Sequence, residues 1–156
     1  TYFKTKKDIL RAFCEDELAF IHNELAEKTN PDAPFIDQIH TIFFAEFKYI
    51  TQNREFGRIL MQELVFPKDG GLKSDDTEEN GYFAMLFPII EKAMTRGEIQ
   101  KDLHPLHVAG HFYADFLLLV SSWYVGRFET AEEVNDALYY FFKYTLDGLR
   151  PDLNNK

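Results

Sequence analysis

Cysteine is nearly absent from this 156-residue chain, in which Cys14 stands alone. That excludes an internal disulfide and a thiolate metal cluster. Long apolar runs are missing too. None exceeds six residues, far short of the roughly 20 that a membrane-spanning helix requires. The first residues, Thr1-Tyr2-Phe3-Lys4-Thr5-Lys6-Lys7, are basic but lack the apolar stretch of a secretory signal. No repeat, low-complexity tract, P-loop, Gly-x-Gly-x-x-Gly or Cys-x-x-Cys motif occurs. The expectation is a cytoplasmic protein with no membrane partner.

Basic charge is also in short supply. The 17 Lys and Arg face 26 Asp and Glu, for a net charge of −9. This argues against a large nucleic-acid surface within these residues. The deficit is uneven. Residues 1–11 hold Lys4, Lys6, Lys7 and Arg11 against Asp8 alone, so everything after them carries −12. Such asymmetry suggests that one end belongs to a basic neighbour.

What the chain has in quantity is aromatic side chains, with 16 Phe, 8 Tyr and 1 Trp. They fill cores, and they also line pockets for flat organic molecules. Composition does not separate the two uses.

The punctuation is helical throughout, and nothing reads as a strand, so the expected fold is all-α with about six helices. Thr5-Lys6-Lys7-Asp8 is a capping box, after which Ile9, Leu10, Phe13, Cys14, Leu18, Ile21 and Leu25 recur at helical spacing to about Lys28. Asn30-Pro31-Asp32-Ala33-Pro34 breaks the chain, and a second helix carries Phe35, Ile36, Ile39, Phe43, Phe47 and Ile50 on one side. A third runs from about Arg54 to Phe66, and residues 67–76 form a loop. The fourth spans about Thr77 to Arg96, with Pro88 expected to kink or restart it and Gly97 as a left-handed cap. His104-Pro105 opens the fifth, which continues to about Val125. Thr130-Ala131-Glu132-Glu133 is a second capping box for the sixth, which ends at Gly148 before Pro151.

The segment Thr1-Tyr2-Phe3-Lys4-Thr5-Lys6-Lys7-Asp8-Ile9-Leu10 resembles the junction that follows the recognition helix in TetR-family transcriptional regulators. There an aromatic-rich stretch with Phe-Lys, a small polar residue, Lys and an acid leads into a long connecting helix. Arg96-Gly97-Glu98-Ile99-Gln100-Lys101-Asp102-Leu103-His104-Pro105 is similar to that family's link into its dimerisation helices, and Asp147-Gly148-Leu149 to its helical ending. The resemblance implies that residues 1–4 are the tail of a DNA-binding helix-turn-helix and residues 5–156 an effector-binding and dimerisation domain. It implies a regulator, a repressor by preference, that releases operator DNA when it binds a small molecule. The helix-turn-helix itself, roughly 40 to 45 residues in such proteins, does not appear in this sequence.

A local observation agrees with that junction. The positive end of a helix dipole disfavours cations, yet this helix opens on Lys4, Lys6 and Lys7. The fitting counter-ion is a DNA phosphate, which makes Lys4 and Tyr2 the candidate DNA contacts. The plain alternative is a solvated basic patch.

Candidate effector contacts are the aromatics Phe43, Phe47, Phe83, Phe87, Phe112, Phe116 and Trp123, with His40 or His111 as polar handles for a hydrophobic or aromatic molecule. Core packing explains Phe116 and Trp123 equally well. On the fifth helix, Gly110, Ala114 and Ser121 cluster beside Leu117 and Leu118. On the sixth, Val134, Leu138, Phe141 and Thr145 form a stripe. These nine are the expected homodimer interface, a two-fold four-helix arrangement. The rival is that both stripes pack within one chain, with Gly110 tolerating a close internal crossing.

Two other function classes compete. His107, His111 and Asp115 stand at four-residue spacing on a stripe with His104 and Ser122, as a metal-binding helical enzyme would require. The stripe lacks the Glu of a His-Glu-x-x-His site, and a polar face is the commoner meaning. No nucleophile setting surrounds Ser74, Ser121, Ser122 or Cys14, so no catalytic residue, cofactor or metal is expected. A structural helical adaptor is the remaining alternative.

Overall fold

The computed structural model describes residues 5–68 and 77–152. Among these the chain forms α1 (Lys6–Lys28), α2 (Phe35–Thr51), α3 (Arg54–Val65), α4 (Thr77–Thr95), α5 (Pro105–Tyr124) and α6 (Ala131–Leu149), with no strand. The fold is all-α, as the helical spacing of the apolar residues indicates. Most of the expected loop, residues 69–76, lies outside the described residues.

The caps explain where the helices begin. The Thr5 hydroxyl accepts from the Asp8 N–H, and the Asp8 carboxylate accepts from the Thr5 N–H, both at 3.1 Å. This is the reciprocal box expected from the sequence. The Thr130 box is only half formed. Thr130 accepts from the Glu133 N–H at 3.2 Å, but Glu133 reaches one residue further back, to the Glu129 N–H. At the other ends, Gly97 and Gly126 both take φ of 79°, the left-handed conformation that closes helices. α4 runs through Pro88 without restarting.

α2 has Pro34 at its start and no side-chain cap of its own. Its first free donor, the Phe35 N–H, instead binds the Glu98 carboxylate at 2.9 Å, from a segment 63 residues away. Arg96 pairs with Glu98 at 2.6 Å and donates to the carbonyls of Asp32 and Ala33. The turn after α4 therefore fastens the start of α2, which satisfies a donor that would otherwise be stranded.

α2 is the hub, packing on α1, α3, α4 and α6, while α5 packs on α4 and α6. Nine of its 17 residues are buried, against three of 23 in α1. One continuous apolar core joins the elements from Ile21 to Leu146. Cys14 is buried on the inner side of α1, an inert position for a thiol.

Candidate functional site

The expected effector contacts divide into two groups. Phe43, Phe47, Phe112 and Phe116 are fully buried. Their rings pack on one another and on neighbours: Phe43 lies 5.2 Å from Phe116 and 5.3 Å from Phe142, and Phe112 lies 5.2 Å from Phe142. Phe47 meets Trp123 edge-on at 5.3 Å. These are the tilted and edge-to-face contacts of a packed aromatic core, so these side chains occupy the space that an aromatic-lined pocket would need. Phe83 and Phe87 are only partly buried and stack at 5.6 Å. His111 is exposed and far in character from a buried handle.

His40 has a different setting. It lines a cleft of about 240 Å³ between α1, α2 and α6, together with Glu24, Lys28, Thr41, Phe44 and Asn135. Its Nε2 lies 3.1 Å from the Asn135 carbonyl. The Glu24 carboxylate is approached by two ammonium groups through the same oxygen, Lys28 at 2.6 Å and Lys48 at 2.8 Å. Those two hydrogen bonds, Lys28 first, hold its carboxyl below the usual range against a smaller burial effect. Lys48 also lies 5.3 Å from the centre of the Phe44 ring and 5.9 Å from that of Phe20, which is cation–π range. Sequence reading singled out only His40 here. The Glu24/Lys28 spacing of four residues was a signal for a helix-surface pair, but Lys48 joins them only through the packing of α2 on α1.

The two stripes assigned to pairing also separate. On α5, Gly110, Ala114, Leu118 and Ser121 are exposed and Leu117 is half-buried. The exposed line extends beyond the expected residues to Leu106, 47% exposed, and Val125, 66% exposed. Among the described residues, a Cβ built on Gly110 meets no atom within 4 Å beyond its chain neighbours and the nearby backbone of its own helix. The internal crossing that would explain this glycine is therefore not present among the described residues. Gly57 of α3 is the opposite case, since a Cβ there would collide with the Ile50 carbonyl and come within 2.7 Å of the Tyr124 hydroxyl. On α6, Val134 and Leu138 are 1% and 0% exposed. They face the chain's own core and have no surface to give a partner, which corrects their assignment to the interface. Phe141 and Thr145 are half-buried and keep some surface.

The polar stripe of α5 is not uniform either. His104 acts as the N-cap, its Nδ1 accepting from the Leu106 N–H at 3.1 Å. Asp115 accepts a short hydrogen bond from the Thr145 hydroxyl of α6. Burial raises its carboxyl above the ordinary range, with Thr145 and His111 working against that. Ser122 is buried and donates to the Leu118 carbonyl at 2.9 Å. His107 and His111 are exposed. Among the described residues, no three His, Cys, Asp or Glu side chains gather as a metal-ligand set.

Lys4 and Tyr2 lie outside the described residues. Lys6, the next cation at the start of α1, pairs with Glu63 of α3 at 2.7 Å. That carboxylate offsets part of the dipole conflict that had pointed to a phosphate. Among the described residues no helix is long and apolar enough to cross a membrane. No family model matches this chain, and no curated protein matches it.

Proposed function

We propose that the chain is the effector-binding and dimerisation part of a TetR-type transcriptional repressor, in which α5 and α6 of two copies pair. The carrying observation is the exposed line Leu106, Gly110, Ala114, Leu118, Ser121 and Val125 on α5. A glycine inside a helix costs about 1 kcal/mol relative to alanine, and among the described residues no close packing at Gly110 offsets that cost. Small residues flanked by exposed leucine and valine suit the close approach of a second helix. Pairing by this face should bury more than about 2,000 Å² in total, as obligate dimers do.

α1 suits the role of the moving part. Among the described residues it is the longest helix, yet it buries only Cys14, Glu17 and Ile21, so displacing it disrupts less of the core than moving α2 would. A hydrophobic or aromatic effector acts by binding one position of α1 more tightly than the other. The two DNA-reading heads ahead of α1 then change their spacing. The capped, lysine-rich start at Thr5 supports a junction to such a head, and Lys4 and Tyr2 are its proposed phosphate contacts.

The test uses the full gene product, including whatever is encoded before Thr1, on DNA fragments flanking its own gene. Salt-dependent, sequence-specific binding that a small molecule reverses is the expected result. Absence of specific binding from a folded dimeric product would overturn the reading.

A further inference from the structure

We propose that the cleft between α1, α2 and α6 is a binding site for a small aromatic carboxylate, with its acid group on Lys28 and its ring against Phe44. The proposal does not rest on the regulatory reading, since the site and its test involve no DNA.

Charge is the first argument. Glu24 receives Lys28 and Lys48 on one oxygen, so three charged groups in contact carry a net charge of +1. One lysine would suffice to neutralise the carboxylate and clamp α1 to α2. Lys48 has that role, because it is partly covered and sits over the rings of Phe20 and Phe44. Lys28, half-exposed in the last turn of α1, supplies the surplus. Glu27 also acts on Lys28, but it is exposed, and solvent screens such a charge. An ammonium donates up to three hydrogen bonds, so Lys28 retains donors beyond its bond to Glu24.

Shape and polarity are the second argument. The cleft of about 240 Å³ falls below the roughly 300–1,000 Å³ of pockets for drug-sized molecules, which limits the occupant to a single ring with a short acid arm. Phe44 offers an apolar wall. The Thr41 hydroxyl donates to the Asp37 carbonyl at 2.8 Å and keeps lone pairs to accept. Nε2 of His40 donates to the Asn135 carbonyl, and an imidazole that donates through one nitrogen can accept through the other. A carboxylic acid with a ring hydroxyl would use that acceptor, whereas a bare inorganic anion would leave both Phe44 and His40 without a role.

The experiment titrates benzoate, benzyl alcohol and inorganic phosphate into the isotopically labelled chain, following backbone amides by NMR. Benzoate should give saturable shifts at Thr41, Phe44 and Asn135. Benzyl alcohol and phosphate should each bind at least about tenfold more weakly, as expected for loss of a charge-assisted contact or of the ring contact. Lys28→Met, a surface change that keeps an unbranched apolar stem and removes the ammonium, should weaken benzoate about tenfold without altering the fold. Equal binding of benzyl alcohol or phosphate, shifts confined to other residues, no saturable binding in the millimolar range, or unchanged benzoate affinity in Lys28→Met would each overturn the proposal.

Discussion

The Thr145 hydroxyl of α6 donates a short hydrogen bond to the Asp115 carboxylate of α5, tying the two helices together within one chain. Thr145 was expected at the dimer interface, and Asp115 belonged only to the rival metal-binding reading. Their contact makes them a fastening of the α5–α6 pair that the proposed interface depends on.

Asp115 should make the fold less stable as the pH rises. Burial raises its carboxyl above the usual range, so the folded chain holds this proton at a pH where the unfolded chain has released it. Its contribution is fully present below the unfolded value of about 3.9 and is lost as pH climbs through the raised folded value. Asp115→Asn keeps an acceptor for Thr145 and removes the charge. Melting followed by circular dichroism should show a higher Tm than the parent at pH 7 and a similar one at pH 4. An equal difference at both pH values would mean that the substitution acts through packing rather than ionisation.

Glu24 should behave in the opposite sense. Its carboxyl is held low by Lys28 and Lys48, so its contribution is present above the unfolded value and lost as pH falls through the folded one. Because Lys28 is half-exposed, the loss should stay at or below about 1 kcal/mol and shrink in high salt. Urea denaturation of Glu24→Gln should show a flatter dependence between pH 5 and 3 than the parent, taking those values as roughly the carboxylate range. A parallel pair of curves would contradict the ion-pair description.

Gly57 and Gly110 should respond to alanine with opposite signs. At Gly57 the new Cβ meets backbone, the Ile50 carbonyl, which cannot rotate away. Overpacking of this kind costs about 1–3 kcal/mol. At Gly110 there is open space within the chain, so alanine should raise intrinsic helix stability by up to about 1 kcal/mol. Chemical denaturation of the two variants at low protein concentration measures both. A destabilised Gly110→Ala monomer would show that this glycine serves an internal contact after all.

Glu98→Ala should loosen the start of α2 from a distance. It removes the acceptor for the Phe35 N–H and the partner of Arg96. Leaving that donor unpaired should cost about 1–3 kcal/mol, with faster amide exchange at Phe35 than elsewhere in α2. Uniform exchange along α2 would argue against a local cap.

The helices were legible because their ends are written locally. Thr5 with Asp8, and Gly97 before the link to α5, fix boundaries by hydrogen bonds within a few residues. What failed needed knowledge of which neighbour covers a face. Val134 and Leu138 form a stripe on any helical wheel, but the wheel does not say that α2 and α5 already cover it. Phe43, Phe47, Phe112 and Phe116 likewise read the same way as pocket lining or as core, until Phe142 is placed among them. The cleft was nearly invisible. Glu24 and Lys48 are 24 residues apart, and only the packing of α1 on α2 brings them together. The half-formed box at Thr130 shows the same limit on a smaller scale, since Glu133 had a choice of two backbone donors.

The pairing of two copies through α5 is tested most directly by sedimentation equilibrium of the chain and of Gly110→Leu across a dilution series. The parent should remain dimeric down to micromolar concentration. Gly110→Leu, whose Cβ meets no close neighbour among the described residues and whose side chain would crowd a second helix seated there, should sediment as a folded monomer. A parent that is monomeric at micromolar concentration, or a Gly110→Leu variant that stays dimeric with full stability, would contradict the account.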